Sequence, residues 1–398
     1  MMNDLTCIII GGGYVGLAAL KAIKEKTKGM ANGRRIRFVL IDKEPGHLRK
    51  FRLFRPTTVE EEIMIPWKDL VLDGFEFVQG TVTTVDSGEK LLRYTDAQGN
   101  DAQIHYDLLV VAVGSSVRRP EPYQGGIALI DPQAAADIRN RWRANLRKAA
   151  HETNPEERKR LTSIAIVGAG ISGIETSAEL ALAMKKEATA LGLNSSDTSV
   201  YLLNSQERLL PEVSEKFRRK LVQELSKCGV TVLNNRKVLR EEAGVVLFSN
   251  GDSLPVGICI WMIGLIPNPA LPAMGLPLTS DGRVLVDGSY RVKGAPSVYS
   301  IGDCARIVDP KTGEEDQMTC FEGSFQALRL AKIVMADLEG RPAPIHQSSK
   351  PNMDNAFNIG LGQEGVFWIR KWGLDMVMTG KLPGKIKKFV EDKTSMLR

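Results

Sequence analysis

One glycine pattern occurs twice in the chain, and each copy directly follows a run rich in β-branched residues. The two copies are Gly11-x-Gly13-x-x-Gly16 and Gly168-x-Gly170-x-x-Gly173. In this pattern a strand turns tightly into a helix, and glycine lets the free N–H groups at the helix start approach a pyrophosphate. The sequence therefore predicts two dinucleotide sites, an arrangement typical of electron transfer between two nucleotides.

Length and charge limit the architecture. At 398 residues, of which 43% are apolar, the chain is too long for one compact core and suits two domains with an appendage. The formal net charge of +6 is a small excess of 53 basic over 47 acidic residues, and these charges are interspersed. Because the charges are not gathered into a basic arm or tail, no nucleic-acid partner is expected.

Cysteine usage points to a reducing compartment. The five cysteines are scattered and form neither a C-x-x-C pair nor a metal-ligand spacing with the four histidines, so neither disulfides nor a metal site is expected. Residues 1–4 run directly into the first strand, so no signal peptide is expected. No run approaches the roughly 20 apolar residues of a membrane span. We expect a cytoplasmic protein, with any membrane contact peripheral and on the inner face.

The first glycine pattern opens a βαβ unit. A strand at 7–10 is followed by a helix at 14–28, a polar loop at 29–35 and a second strand at 36–41 that stops at Asp42. A carboxylate at the end of the second strand accepts hydrogen bonds from the ribose hydroxyls of a dinucleotide.

The second unit repeats this order with one difference. A strand at 164–167 leads into a helix at 172–191 and a strand at 198–203, which ends at Asn204. The amide removes the charge that would repel a 2′-phosphate, and Arg208 is close enough in sequence to bind one. The sequence therefore predicts a site that accepts NADPH as well as NADH.

Three further features belong to the same layout. Buried strands ending in glycine turns are predicted at 106–115 and 258–264, and a strand at 298–303 ends at Asp303. From about Met318 an apolar-periodic helix runs to Leu338.

Taken in order, these motifs resemble the two-dinucleotide flavoprotein oxidoreductases over residues 5 to 340. Within that superfamily the chain is similar to the type II NADH:quinone oxidoreductases and, more closely, to the apoptosis-inducing-factor-like, mitochondrion-associated, quinone-reducing flavoproteins. The closer likeness rests on Arg55-Pro56, Ile65-Pro66-Trp67, Asn204-Ser205-Gln206 and Gly360-Leu361-Gly362-Gln363-Glu364-Gly365.

The resemblance implies FAD at the first pattern and NADH or NADPH at the second. It implies that Asp42 contacts the adenosine ribose, the backbone near Val82 the adenine, and Asp303 the ribityl chain of FAD. The predicted cofactor-binding residues are Gly11, Gly13, Tyr14, Val15, Gly16, Asp42, Lys43, Arg55, Val82, Ala112, Val113, Gly114, Gly168, Gly170, Ile171, Ser172, Gly173, Asn204, Ile263, Gly264, Gly302, Asp303 and Met318.

The expected fold class is α/β, with two Rossmann-like domains, the second inserted in the first, and a small C-terminal segment. The FAD-binding domain is predicted at residues 1–117 and 266–340, and the NAD(P)H-binding domain at 118–265. Residues 341–398 form the C-terminal segment.

The chain departs from its relatives in two places. Disulfide-reducing members carry a cysteine pair after the Asp42 position or ahead of the second pattern, whereas this chain has none there, which excludes a thiol–disulfide relay. Bacterial quinone-reducing members carry an alanine- and glutamine-rich motif where this chain has residues 318–327, and that pattern is mostly lost.

Two electrostatic hypotheses concern helix starts. Glu175 falls in the first turn of the second nucleotide helix, where it either only stabilises the helix dipole or, as the resemblance implies, lies close to nicotinamide and flavin as the catalytic residue. The helix starting near Met318 is expected to stabilise the negative charge of reduced flavin. Trp261 is expected in the core.

The C-terminal segment concentrates aromatic, methionine and lysine side chains. One interpretation is that its tryptophans and methionines, among them Trp368, Trp372, Met376 and Met378, cover the flavin as an access path for a lipid-soluble acceptor. Lys385, Lys387 and Lys388 would then meet anionic headgroups. The alternative is a homodimer contact. A quinone is the favoured acceptor; a soluble or protein acceptor, and a redox sensor with little turnover, remain as alternatives.

Overall fold

A computed structural model describes residues 4–70, 74–348, 356–371 and 374–394. In these ranges the α-helices are α1 (Tyr14–Thr27), α2 (Pro132–Ala149), α3 (Pro155–Leu161), α4 (Ile171–Ala190), α5 (Glu215–Cys228), α6 (Cys320–Leu338) and α7 (Lys381–Thr394). The strands are β1 (Leu5–Ile10), β2 (Met30–Ala31), β3 (Arg34–Asp42), β4 (Gly46–Leu48), β5 (Met64–Pro66), β6 (Glu76–Asp86), β7 (Leu91–Asp96), β8 (Asp101–His105), β9 (Leu108–Val111), β10 (Ser115–Val117), β11 (Ile127–Ala128), β12 (Ser163–Val167), β13 (Ser199–Leu203), β14 (Val230–Leu233), β15 (Val238–Glu242), β16 (Val245–Phe248), β17 (Ser253–Pro255), β18 (Ile258–Trp261), β19 (Leu265–Pro267), β20 (Val284–Leu285), β21 (Arg291–Val292), β22 (Ala295–Ser300), β23 (Ala305–Arg306), β24 (Ala356–Leu361), β25 (Glu364–Lys371) and β26 (Leu374–Gly380).

The first nucleotide unit is built on a mixed sheet in the order β21-β22-β9-β1-β3-β6-β7-β8. Strands β22, β9, β1, β3 and β6 run parallel, and the apolar residues of β1 and β9 are buried, as expected for strands covered on both faces. Parallel strands end at one edge of a sheet, so the residues that follow β1, β3, β9 and β22 lie together there. The predicted βαβ unit is confirmed, although β3 begins at Arg34, inside the expected loop.

The second nucleotide unit has its own parallel sheet, in the order β11-β18-β12-β13-β14, and an antiparallel layer of β15, β16 and β17. Strands β12 and β13 pair in parallel from Ser163 with Ser199 to Val167 with Leu203. Their carboxyl ends bring the second glycine pattern and Asn204 to one edge.

Two connections join the units. Strand β10 leaves the first unit and β19 returns to it, and they pair antiparallel. This pairing agrees with a second unit inserted in the first, so the predicted fold class is confirmed, while the boundaries at 117/118 and 265/266 stay predictions.

A strap formed by residues 49–63 of the first unit packs against the second unit. Trp142 of α2 donates from Nε1 to the carbonyl of Thr57 at 2.8 Å, and Arg139 donates to the carbonyl of Pro56 at 2.9 Å. Because Trp142 and Thr57 are fully buried, these bonds set how the two units face each other.

The C-terminal segment forms the antiparallel sheet β24-β25-β26 and helix α7. Trp368 of β25 is buried, with its ring 6.0 Å from those of Phe217 and Phe357. Phe217 belongs to α5, so the segment shares the core of the second nucleotide unit. Within the described ranges, no helix combines the length and apolar character needed to span a bilayer.

Candidate dinucleotide sites

The first glycine of each pattern has a backbone conformation that other residues rarely adopt. Gly11 has φ +100° and Gly168 has φ +116°. A methyl group on Gly11 would lie 2.5 Å from the carbonyl oxygen of Ala112, and one on Gly168 would overlap the carbonyl of Met262. Glycine is therefore required at both positions for the turn and for the approach of the neighbouring strand.

The third glycine of each pattern lets the helix pack on its own turn. A methyl group on Gly16 would overlap the carbonyl oxygen of Gly11, and one on Gly173 would overlap that of Gly168. The two loops thus share the same internal contacts.

The second glycine of each pattern is different, because it faces open space. A methyl group on Gly13 or on Gly170 would meet no atom within 4 Å. Each is the extended N-cap of its helix, without a side-chain cap and without an acidic residue in the first turn. The free N–H groups and positive dipole ends of α1 and α4 therefore face cradles that suit a pyrophosphate.

Asp42 ends β3 beside the first glycine turn, where the sequence predicted a carboxylate. Its carboxylate accepts hydrogen bonds from the N–H of Gly12 and, at 2.8 Å, from the N–H of Glu44. Burial raises the pKa of Asp42, and the two N–H donors oppose that shift. The carboxylate is thereby fixed beside the glycine turn.

His47 is a residue of this site that no sequence motif indicated. It is buried, and its Nδ1 donates to the carbonyl of Gly12 at 2.9 Å, while burial lowers its pKa. The ring of Trp67 covers the position that a Gly12 methyl group would take. Gly12 is therefore held through both of its backbone polar groups.

Asp303 lies at the same edge, as predicted, after Gly302 with φ +76°. It accepts a hydrogen bond from Ser115 Oγ at 2.6 Å, and Lys50 Nζ donates to the Ser115 carbonyl at 2.6 Å. Burial lowers the pKa of Lys50, and the charge of Asp303 opposes that shift. Ser115 and Lys50 were not identified from sequence, because only the fold brings them to Asp303.

Helix α6 begins later than predicted. Its first residue is Cys320, and Thr319 caps it by accepting from the N–H of Glu322. Met318 therefore lies outside the helix, and the first turn already contains the buried carboxylate of Glu322. The expectation that this helix start stabilises reduced flavin stays a prediction.

The other predicted residues of the first site have mixed placements. Tyr14 and Val15 open α1, where Tyr14 accepts from Ser324 Oγ at 3.1 Å. Lys43 is exposed beside Glu44, and Val82 is buried in β6 opposite Tyr94. Residues 112–114 follow β9, and the carbonyl of Val113 accepts from Asn268 at 2.9 Å.

The Arg55 guanidinium is paired with two carboxylates. Its guanidinium donates to Glu61 at 3.2 Å and to Glu179 of α4 at 3.0 Å. The side chain therefore ties the strap to the second unit, and its contact with a cofactor stays a prediction.

At the second site, Ile171 and Ser172 are exposed at the start of α4, and Ile263 and Gly264 follow β18. Asn204 is buried, accepts from the N–H of Gln206 at 3.2 Å and donates to Asn234 Oδ1 at 2.8 Å. Its amide thus shapes the loop after β13, and Arg208 of that loop is exposed. Trp261 is buried, as predicted.

Glu175 belongs to the second turn of α4, not the first, because the helix begins at Ile171. It is buried, accepts from the N–H of Gly360 at 2.9 Å, and pairs with Lys387 Nζ at 2.7 Å. Its carboxylate is therefore a junction between α4 and the C-terminal segment.

These contacts correct two expectations about the C-terminal segment. Lys387 points into the molecule, onto Glu175, and not toward headgroups. Trp368 packs in the core of the second unit and does not cover a flavin. Trp372 lies outside the described residues.

All five cysteines are free. Burial raises the pKa of Cys7 and of Cys259 to about 12, so these two are protonated thiols at neutral pH.

The profile of the pyridine nucleotide-disulphide oxidoreductase family matches residues 5–322. The oxidoreductase ptaL of Pestalotiopsis fici is 26% identical over 382 residues, covering 90% of this chain and 91% of that protein. A probable NADH dehydrogenase of Dictyostelium discoideum is 27% identical over 59% of this chain and 54% of its own length. The type II NADH:quinone oxidoreductase of Haemophilus influenzae is 23% identical over 84% of this chain and 81% of its own length. The chain thus spans about half the length of some relatives and most of others.

Solved structures share the fold at low identity. NDH2 of Plasmodium falciparum in complex with NADH superposes with a TM-score of 0.79 at 16% identity, covering 99% of this chain and 96% of that one. The sulfide:quinone oxidoreductase of Aquifex aeolicus superposes with a TM-score of 0.74 at 14% identity, covering 98% of this chain and 90% of that one.

Proposed function

Because the chain belongs to the pyridine nucleotide-disulphide oxidoreductase family, we propose that it is an FAD-dependent enzyme that oxidises NADH or NADPH and passes the electrons to a quinone. The observation that carries this proposal is the shared geometry of the two glycine loops. Each places an open, uncapped helix start where a pyrophosphate would bind.

FAD is assigned to the first cradle. The N–H groups at the start of α1 would bind its pyrophosphate, Asp42 its adenosine ribose and Asp303 its ribityl chain. FAD, when bound, accepts a hydride from the nicotinamide and releases electrons to the acceptor. The chain supplies orientation: Ser115 holds Asp303, and His47 and Asp42 hold Gly12.

NADH or NADPH is assigned to the second cradle. The amide of Asn204 leaves the edge of β13 without a carboxylate that would repel a 2′-phosphate, and exposed Arg208 follows it. The strap keeps this unit turned toward the first, which favours close contact between two bound nucleotides.

A quinone is the acceptor that the relatives' names favour, since they include NADH:quinone oxidoreductases. The surface of α6 adds support. Phe321 and Phe325 are each nearly half exposed, and their ring centroids lie 4.7 Å apart on the helix that begins near Asp303. Such an aromatic pair suits a flat, lipid-soluble acceptor.

The test is anaerobic reduction followed by mixing with acceptors. We expect NADH to bleach the visible absorbance of the bound flavin, and a short-chain quinone to restore it faster than ferricyanide or oxygen at equal concentration. Reoxidation that is slow with every acceptor would contradict the enzyme and favour a redox sensor.

We also propose peripheral contact of the C-terminal segment with an anionic membrane. Helix α7 exposes Leu382, Phe389 and Val390 beside the exposed Lys385 and Lys388. Apolar side chains flanked by lysines suit a headgroup interface.

Flotation with vesicles of phosphatidylglycerol and phosphatidylcholine tests this contact. Phe389→Glu is expected to abolish flotation, with Tyr123→Glu as the control at an exposed position outside the C-terminal segment. Unchanged flotation of Phe389→Glu would contradict it. A wild type that does not float but sediments as a dimer, together with a Phe389→Glu variant that sediments as a monomer, would favour a homodimer contact instead.

A further inference from the structure

A chain of buried polar groups runs from the turn at Gly302 to the segment that follows α6. Gln326 of α6 accepts the N–H of Gly302 at Oε1, 2.8 Å away, and donates from Nε2 to Asp316 Oδ2 at 2.8 Å. The other oxygen of Asp316 lies 3.3 Å from Nε2 of His346. Gln326, Asp316 and His346 are all buried, and together with the Gly302 N–H they form what is called here the buried relay.

The contacts of His346, at the far end of the buried relay, determine which groups donate and which accept. Arg329 Nη1 lies 2.9 Å from Nδ1 of His346, and the hydroxyl of Tyr290 lies 2.8 Å from the same atom. A guanidinium can only donate, so Nδ1 must accept, and the proton of the imidazole resides on Nε2. His346 therefore donates to Asp316.

With His346 as donor on one side, Asp316 accepts through both carboxylate oxygens. Gln326 must then present its NH₂ group to Asp316 and its carbonyl to Gly302. Each donor atom of the buried relay has an acceptor. The Arg329 guanidinium thus influences the orientation of the Gln326 amide through His346 and Asp316.

The near end of the buried relay acts on a demanding turn. Gly302 has φ +76°, and a methyl group there would lie 3.2 Å from Val15 at the start of α1. Asp303 follows directly. We propose that Gln326, oriented by Asp316 and His346, is a positioning residue that holds this turn and so sets Asp303 against the flavin. This inference rests on the proposed function, because it requires FAD in the first cradle.

The experiment exchanges donors and acceptors within the buried relay. In Gln326→Glu two acceptor oxygens face each other across the 2.8 Å contact with Asp316. In Asp316→Asn the new NH₂ group opposes a donor of either Gln326 or His346, whichever way the amide turns. The double variant Q326E/D316N restores every pair, because the new amide at position 316 would donate to the new carboxylate at position 326 and accept from His346. The double variant also keeps the net charge of the wild type.

Each holoenzyme is assayed for FAD release after dilution, for its flavin spectrum and midpoint potential, and for global unfolding by circular dichroism. We expect each single variant to bind FAD about tenfold or more weakly, since mispairing a buried polar group has a cost of this order. The spectrum should shift, and the double variant should return close to the wild type. Gln133→Glu, Asp137→Asn and their combination test the same exchange on an exposed pair of α2 and should change nothing.

A merely structural role would lower the unfolding temperature without moving the flavin spectrum or potential. If a single variant does not fold, Gln326→Met, which removes the contact to Gly302 without burying a charge, is expected to weaken FAD binding in the same direction. Single variants that bind FAD like the wild type, or a double variant as weak as the singles, would overturn the inference while leaving the proposed function intact. A wild type that binds no FAD would overturn the proposed function itself.

Discussion

The Glu175 carboxylate lies 2.7 Å from the Lys387 ammonium, so a buried residue of the second nucleotide unit is paired with the last helix of the chain. The same oxygen accepts the N–H of Gly360 in β24. One side chain of α4 thus contacts both β24 and α7 of the C-terminal segment.

Lys387→Met is expected to loosen that link. The buried Glu175 carboxylate would lose its cation, and we expect the free energy of unfolding to fall by about 1 to 3 kcal/mol, measured by urea denaturation. Lys385→Met removes an exposed lysine of the same helix and should stay within about 0.5 kcal/mol. Equal effects of the two variants would contradict the pairing.

Gly13→Ala and Gly170→Ala should separate the two cofactors. Both methyl groups enter open space, so folding should be retained, yet each fills the cradle at a helix start. We expect Gly13→Ala to lose FAD, and Gly170→Ala to keep FAD but raise the KM for NADH at least tenfold. Ultraviolet-visible spectra and steady-state kinetics check this. The reverse pattern would mean that the cofactors are assigned to the wrong cradles.

Trp142→Phe tests the strap. Losing the Nε1 bond to the Thr57 carbonyl leaves a buried acceptor unpaired, which should lower stability by about 1 to 3 kcal/mol and slow flavin reduction by NADH. Trp261→Phe is the matched control, since its Nε1 donates to Gly125 at 2.8 Å within the second unit. Trp261→Phe should lower the free energy of unfolding without slowing flavin reduction. Unaltered flavin reduction in Trp142→Phe would contradict the role of the strap.

His47 predicts a pH dependence of stability. Burial lowers its pKa in the folded state, so the unfolded chain takes up a proton first as the pH falls below about 6.5. The contribution of His47 to the free energy of unfolding is therefore present above that pH. It is lost on acidification, by at most about 1.4 kcal/mol per pH unit. His47→Asn should flatten the difference in unfolding free energy between pH 7.5 and pH 5.5.

The control for that experiment is His105→Asn, at an exposed position of β8. It should retain the slope of the wild type. A slope unchanged in His47→Asn would show that other groups carry the acid sensitivity.

The features that the sequence predicts well are those set by neighbours along the chain. The glycine turns, the strands before them and Asp42 at the end of β3 follow from local spacing, and each is where it was expected. The sequence singled out Glu175, but its partner Lys387 lies in another segment, and only tertiary packing brings them together. His47, Lys50 and Gln326 were missed for the same reason.

The sequence also did not predict the direction in which several side chains point. Composition marked Trp368 and Lys387 as surface or flavin-facing groups, yet the alternation of β25 turns Trp368 into the core with Phe217, and α7 turns Lys387 onto Glu175. The sequence likewise did not indicate the two carboxylates that bind Arg55. Phe217 and Glu175 lie far from Trp368 and Lys387 in the chain, so local patterns did not indicate these contacts.

The central claim is that one chain holds a flavin and a nicotinamide close enough for direct hydride transfer. Anaerobic stopped-flow mixing of the purified yellow protein with NADH tests it most directly. We predict single-turnover bleaching of the flavin absorbance, with a primary isotope effect when the transferred hydrogen of NADH is deuterium. Protein that carries no flavin after incubation with excess FAD, or a bound flavin that NADH does not bleach, would contradict it.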